Sequence, residues 1–167
     1  MSVPPPGPDS ASGRLVDRLI ASFERRHQTF ANRAILVIAT PLMVWGGLAI
    51  LRALPVPAAI SGVPLLNWAL AGGAALVGGA FVLSLRLGWA MLAFVALLLV
   101  LVAIFGSDAV LPIWQSGITF LVLGWIAWLV GRRIEGRPRD LGEIAFDLLM
   151  APVWLIATIL RLLRIGY

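Results

Sequence analysis

Four runs of uncharged, mostly apolar residues dominate the chain: 34–51, 64–85, 87–105 and 110–130. Each approaches the roughly 20 residues a helix needs to cross about 30 Å of hydrocarbon. A backbone in lipid must satisfy its own polar groups, so such runs fold as helices. The expected fold class is an all-α integral membrane protein with four transmembrane helices. Composition agrees: the 167 residues are 60% hydrophobic and 13% charged, where soluble domains carry about 25% charged residues. The mean hydropathy is +0.98.

The connections set the topology. Only Arg86 and its neighbours separate the second and third runs, and Gly106-Ser107-Asp108-Ala109 separates the third and fourth, so neighbouring helices should be antiparallel. All 13 basic residues are arginine, against 8 acids, for a net charge of +5. With the N-terminus inside, Arg14, Arg18, Arg25, Arg26, Arg33, Arg86, Arg132, Arg133, Arg137 and Arg139 share the cytoplasmic side and only Arg52 falls opposite. The arginines therefore read as topology signals, and no nucleic acid is expected as a partner. The lack of lysine beside abundant Ala, Gly, Pro and Arg points to a GC-rich bacterial source and a cytoplasmic-membrane location with both termini cytoplasmic. Trp68, Trp89, Trp114 and Trp128 lie near run ends, as belt residues do.

Residues 1–13 are rich in Pro, Gly and Ser and read as a disordered cap, not a signal peptide. Residues 14–167 then form a single helical membrane domain. Leu15, Leu19, Phe23, His27 and Phe30 recur at helical spacing, which predicts an amphipathic helix on the membrane surface. At the other end, 148–160 is too short to span and contains Pro152. Asp140, Glu143, Asp147, Arg161 and Arg164 fall near one stripe through Ala151, Trp154 and Thr158, predicting an interfacial helix at about 141–164 with a break at Pro152. A fifth span is the competing reading.

The residue inventory limits the chemistry. There is no cysteine and one histidine, so thiolate chemistry and imidazole-rich metal sites cannot be built from one chain. The four runs contain no ionisable residue, which disfavours a coupled transporter. His27 either packs at the membrane interface or serves a site. Asn32 suits an N-cap of the first span, with Arg33 reaching back to the headgroups. Topology brings His27 and Asn32 to the same face as the loop Gly131-Arg132-Arg133-Ile134-Glu135-Gly136-Arg137. That loop either anchors on anionic lipid or binds a lipid carboxylate or phosphate through Arg132 and Arg133, with Glu135 orienting them. Glu24 and His27 form an E-x-x-H pair, a spacing that helical carboxylate metal sites use. Ala71, Ala75 and Gly79 make a small-residue ladder suited to close helix packing, including a homo-oligomer.

Two blocks resemble the Mpo1-like (DUF962) family of small multi-pass membrane proteins. One is His27-Gln-Thr-Phe-Ala-Asn32-Arg33, followed by a span containing Pro41 and Trp45. The other is Trp125 to Gly131, Ile134-Glu135-Gly136-Arg137, and a closing Ala151-Pro152-Val153-Trp154-Leu155 with Gly166-Tyr167. The resemblance implies an iron-dependent dioxygenase that shortens 2-hydroxy fatty acids in fatty acid α-oxidation, with His27 as a catalytic and metal-binding residue. It also implies histidines at three motif positions, which here are His27, Leu36 and Arg132; a glutamine position falls at or near Trp128. With two imidazoles replaced, the expectation is a degenerate relative that keeps the fold and a lipid-facing site at His27, Asn32, Arg33, Arg132, Arg133 and Glu135. A retained iron-dependent activity and a non-catalytic membrane scaffold are the alternatives.

Overall fold

The computed structural model describes residues 8–58, 63, 66–108, 111–136 and 141–166. Among these the chain is helical throughout its regular structure: α1 (Pro8–Arg26), α2 (Phe30–Ala53), α3 (Trp68–Leu83), α4 (Leu85–Asp108), α5 (Ile113–Glu135) and α6 (Leu141–Leu162). Four of them, α2, α4, α5 and α6, are long and apolar enough to cross a membrane, and α3 is a shorter apolar helix. This is a multi-pass membrane-helical architecture.

Local chemistry sets the boundaries. Thr29, not Asn32, caps α2: its extended backbone lets Oγ1 accept from the Asn32 N–H at 3.4 Å, which starts the helix four residues before the expected 34. The helix ends where Leu54 precedes Pro55, whose ring excludes the helical conformation from its predecessor. Asn67 caps α3 by accepting from Leu70 N–H at 3.1 Å. The expected second span of 64–85 is thus a 16-residue helix, about 24 Å long; residues 64 and 65 lie outside those described. A single extended residue, Ser84, breaks the chain between α3 and α4. Gly136, at φ 66°, closes α5 in the left-handed conformation that a side chain would resist. The first helix begins at Pro8, inside the segment expected to be disordered; residues 1–7 are outside the described set.

Helices α2 and α5 pack antiparallel along their whole length because α5 carries Gly117, Gly124 and Gly131 at seven-residue spacing on one face. A Cβ at Gly117 would lie 3.0 Å from the Ile50 nitrogen, one at Gly124 3.0 Å from the Ala39 oxygen, and one at Gly131 would overlap the Asn32 amide. Gly46 answers from α2, where a Cβ would lie 2.7 Å from both Gly117 O and Leu121 N. These positions hold glycine so that two backbones can touch. Helices α3 and α4 form an antiparallel hairpin, Gly73 against Val95 and Gly88 against Phe81, and α3 returns beside α2 with Gly72 against Leu51.

One end of this four-helix bundle therefore gathers the start of α2, the Ser84 break and the end of α5. Helix α6 runs across that end. Near its start Asp147 meets Arg26 and His27, and beyond its last turn the Gly166 carbonyl accepts from Arg86 Nη1 at 2.7 Å, at the start of α4. Helix α1 crosses α6 at Phe23 and Trp154, whose rings are 5.4 Å apart. On either side of that crossing Arg26 reaches Asp147 and Glu24 reaches Arg161. Val16, Ile20 and Phe23 are fully buried, so α1 is amphipathic, but its buried face is not the expected one: Leu15 is 48% exposed, and Phe30 is exposed and opens α2. Only the middle of the expected α6 stripe faces inward: Asp147, Ala151 and Trp154 are buried, Glu143 and Thr158 are half-buried, and Arg161 and Arg164 are exposed; the helix continues through Pro152 without the expected break. The main core fills the capped end with Leu36, Leu87, Met91, Trp128, Trp154 and Ile156. A second cluster of Trp45, Leu48, Ala49, Leu98 and Val102 fills the far half. Trp128 is a core residue and not a belt residue, whereas Trp68, Trp89 and Trp114 are exposed.

Candidate functional site

The polar groups of the capped end converge on His27, the residue that follows α1. Its ring is 1% exposed and lies against Phe23, with centroids 4.3 Å apart. Asn32, one turn into α2, stands beside it. The Asn32 amide nitrogen is 2.9 Å from His27 Nδ1 and 3.0 Å from Glu135 Oε1. A carboxylate only accepts, so the NH2 group must face Glu135, and its second hydrogen goes to His27. Nδ1 is then an acceptor and the ring proton sits on Nε2. That nitrogen stands 3.5 Å from Asp147 Oδ2.

Each partner is itself fixed. Asp147 is fully buried and accepts from Arg26 Nε at 2.9 Å through its other oxygen. The Arg26 guanidinium lies over the Phe146 ring at 4.4 Å. Glu135, from the last turn of α5, accepts from Thr29 N–H and Thr29 Oγ1, both at 2.9 Å, as well as from Asn32. Arg33 donates from Nε to the His27 carbonyl at 2.7 Å, completing the turn between α1 and α2. One connected network thus joins α1, α2, α5 and α6. A buried polar group without a partner costs about 1–3 kcal/mol, so the network is self-consistent only while all four elements stay docked.

Several expectations change in this light. Glu135 does not orient Arg132 and Arg133; it anchors Thr29 and Asn32. Arg132 instead stacks over the Trp128 ring at 4.7 Å, half-buried, and Arg133 is exposed. The Glu24 carboxylate is bound to Arg161 Nη1 at 2.6 Å, so the E-x-x-H pair does not converge. Asp147 is the residue that sequence reasoning missed as part of the site. Residues 137–140 of the basic loop, Arg137 and Arg139 included, lie outside the described residues.

The iron implied by the resemblance would need ligands that this arrangement does not offer. Both nitrogens of His27 face protein partners, Leu36 is fully buried hydrocarbon, and Arg132 brings a cation. Among the described residues no group of three or more His, Asp or Glu is placed to hold a metal ion. The side chains present do not fit a mononuclear iron centre. They do fit a structural lock, with a rim of arginines outside it.

No family model, curated protein or solved structure matches this chain.

Proposed function

We propose that the protein is a lipid-associated, non-catalytic relative of the Mpo1-like proteins, in which the iron site has become a polar lock and the arginine rim holds lipid. The supporting observation is the commitment of both His27 nitrogens, to Asn32 at 2.9 Å and Asp147 at 3.5 Å. With its ring 1% exposed and both nitrogens turned toward protein groups, His27 presents no open face to a metal or a substrate. Arg33, Arg132 and Arg133 crowd the same end, and guanidinium forks suit phosphate or carboxylate oxygens. Helices α1 and α6 then lie in the interface of a bacterial cytoplasmic membrane, with both termini on the cytoplasmic side, where anionic lipid meets basic residues.

The deciding experiment combines metal content, oxygen uptake and bound lipid on detergent-purified protein. We expect no stoichiometric iron after Fe(II) loading and no uptake with a long-chain 2-hydroxy fatty acid. Lipid that copurifies should fall in an Arg33→Gln, Arg132→Gln, Arg133→Gln triple variant. Iron with His27-dependent uptake would overturn the reading, as would unchanged bound lipid in that variant.

A second reading has its own support. Ala71, Ala75 and Gly79 are exposed on α3, and a Cβ at Gly78 or Gly79 would meet nothing within 4 Å. A face this flat suits another helix, so self-association through α3 is proposed beside lipid binding. Gly79→Leu should convert an oligomer to monomers in crosslinking without loss of helix content; an unchanged oligomer would exclude this face.

A further inference from the structure

At the end of the bundle opposite the cap, a pocket of about 210 Å³ opens between α2, α3 and α4, lined chiefly by Arg52, Asn67, Leu70, Leu99, Val102 and Ala103. Its walls are hydrocarbon except at Arg52 and Asn67, and the Asn67 side-chain oxygen is occupied with the Leu70 N–H. Arg52 is the only basic residue between Arg33 and Arg86, and none follows until Arg132. A single cation therefore marks this end, and it lines a cavity. A second groove of about 220 Å³, lined by Trp45, Leu98, Leu101, Phe105 and Phe120 among others, has only apolar walls and would select nothing beyond hydrocarbon.

We propose that the Arg52 pocket seats one anionic phospholipid from the leaflet at this end. The phosphate lies on the Arg52 guanidinium, and the first part of an acyl chain runs along Leu70, Leu99 and Ala103. The volume holds roughly seven groups of the size of a water or methylene, enough for the start of one chain. Leu70 is 39% exposed, so the rest of that chain leaves along the outer surface of the hairpin. Charge selects the head: the planar guanidinium pairs with the two non-bridging phosphate oxygens, and the ammonium of a zwitterionic choline head adds a repulsion that a glycerol head lacks. The site is separate from the capped end, so it stands or falls independently of the arginine rim there.

Native mass spectrometry of the full chain in neutral detergent tests it, with phosphatidylglycerol and phosphatidylcholine as probes. Phosphatidylglycerol should be retained in preference to phosphatidylcholine, and Arg52→Gln should cut its retention about tenfold, while the triple arginine variant of the capped end leaves this component intact. Ala103→Trp fills the pocket with Arg52 in place and should lower retention equally, which keeps the test decisive if Arg52→Gln misfolds. Unchanged retention in Arg52→Gln, or in Ala103→Trp where Arg52→Gln cannot be folded, overturns the proposal, as does equal retention of phosphatidylcholine. Displacement by equimolar oleate that phosphatidylglycerol cannot reverse would assign the pocket to a free fatty acid and overturn it as well.

Discussion

Replacing Asp147 with alanine removes the fully buried carboxylate by which α6 holds the junction of α1 and α2. Among the interactions lost are the 2.9 Å ion pair with Arg26 and the 3.5 Å contact with His27 Nε2. Breaking a buried ion pair typically costs about 3–5 kcal/mol, because it strands the partner's charge. Here the Arg26 side chain is 22% exposed and can turn toward water, which discounts that part to about 1–2 kcal/mol. The stranded Nε2–H of His27 adds about 1–2 kcal/mol, since the ring is 1% exposed and cannot rehydrate without undocking α6. The expected loss is therefore about 2–4 kcal/mol. Asp147→Asn should cost less, because the amide oxygen still accepts from Arg26. Reversible denaturation in mixed micelles followed by circular dichroism gives the free energies. Hydrogen exchange then locates the change, which should concentrate in α1 and α6 while α2 and α5 stay protected. Asp147→Ala within about 0.5 kcal/mol of the parent protein, the range of an ordinary surface substitution, would refute the reasoning.

Other substitutions separate backbone packing from surface charge. Gly46→Ala places a Cβ 2.7 Å from Gly117 O and Leu121 N, neither of which can move without the helix. It should cost about 1–3 kcal/mol in the same denaturation assay, and a neutral result would mean that α2 and α5 are farther apart than described. Gly131→Ala pushes on the Asn32 amide and should disturb the polar network as well as the helix pair, which the His27 ring signals would register. Glu24→Ala should change stability by less than about 1 kcal/mol, because the Glu24 and Arg161 side chains are 29% and 45% exposed. A larger loss in that variant would mean that the crossing of α1 and α6 depends on its outer ion pair.

How much could be read from the sequence follows from the range of each interaction. The apolar runs and flanking arginines carry the membrane architecture because burial in lipid is written in every residue of a span. His27 was legible as an inward-facing residue from its spacing after Phe23. The cap of α2 was misplaced because Thr29 and Asn32 have the same capping chemistry three residues apart. The amide is drawn inward by His27 and by Glu135, which is 103 residues from Asn32. The Glu135 contact could not be read locally. Asp147 had a signal, since it shares a stripe with Ala151 and Trp154, but the short uncharged stretch beside it pointed to a helix in the membrane interface and not to a partner for His27. Its partner Arg26 is 121 residues away. The glycines at 117, 124 and 131 carry the contact of α5 with α2, whereas the sequence pointed to Ala71, Ala75 and Gly79 on α3, since seven-residue spacing is a weaker local signal than a ladder at every fourth residue.

The polar lock is centred on one imidazole, and the chain has only one. Selective 15N labelling of histidine makes His27 the sole signal in a long-range 1H–15N correlation spectrum. The account predicts the Nε2–H tautomer with Nδ1 as hydrogen-bond acceptor, lost in Asn32→Leu and unmoved by Fe(II). An Nδ1–H tautomer, or a His27 signal broadened away by one equivalent of Fe(II), would contradict it.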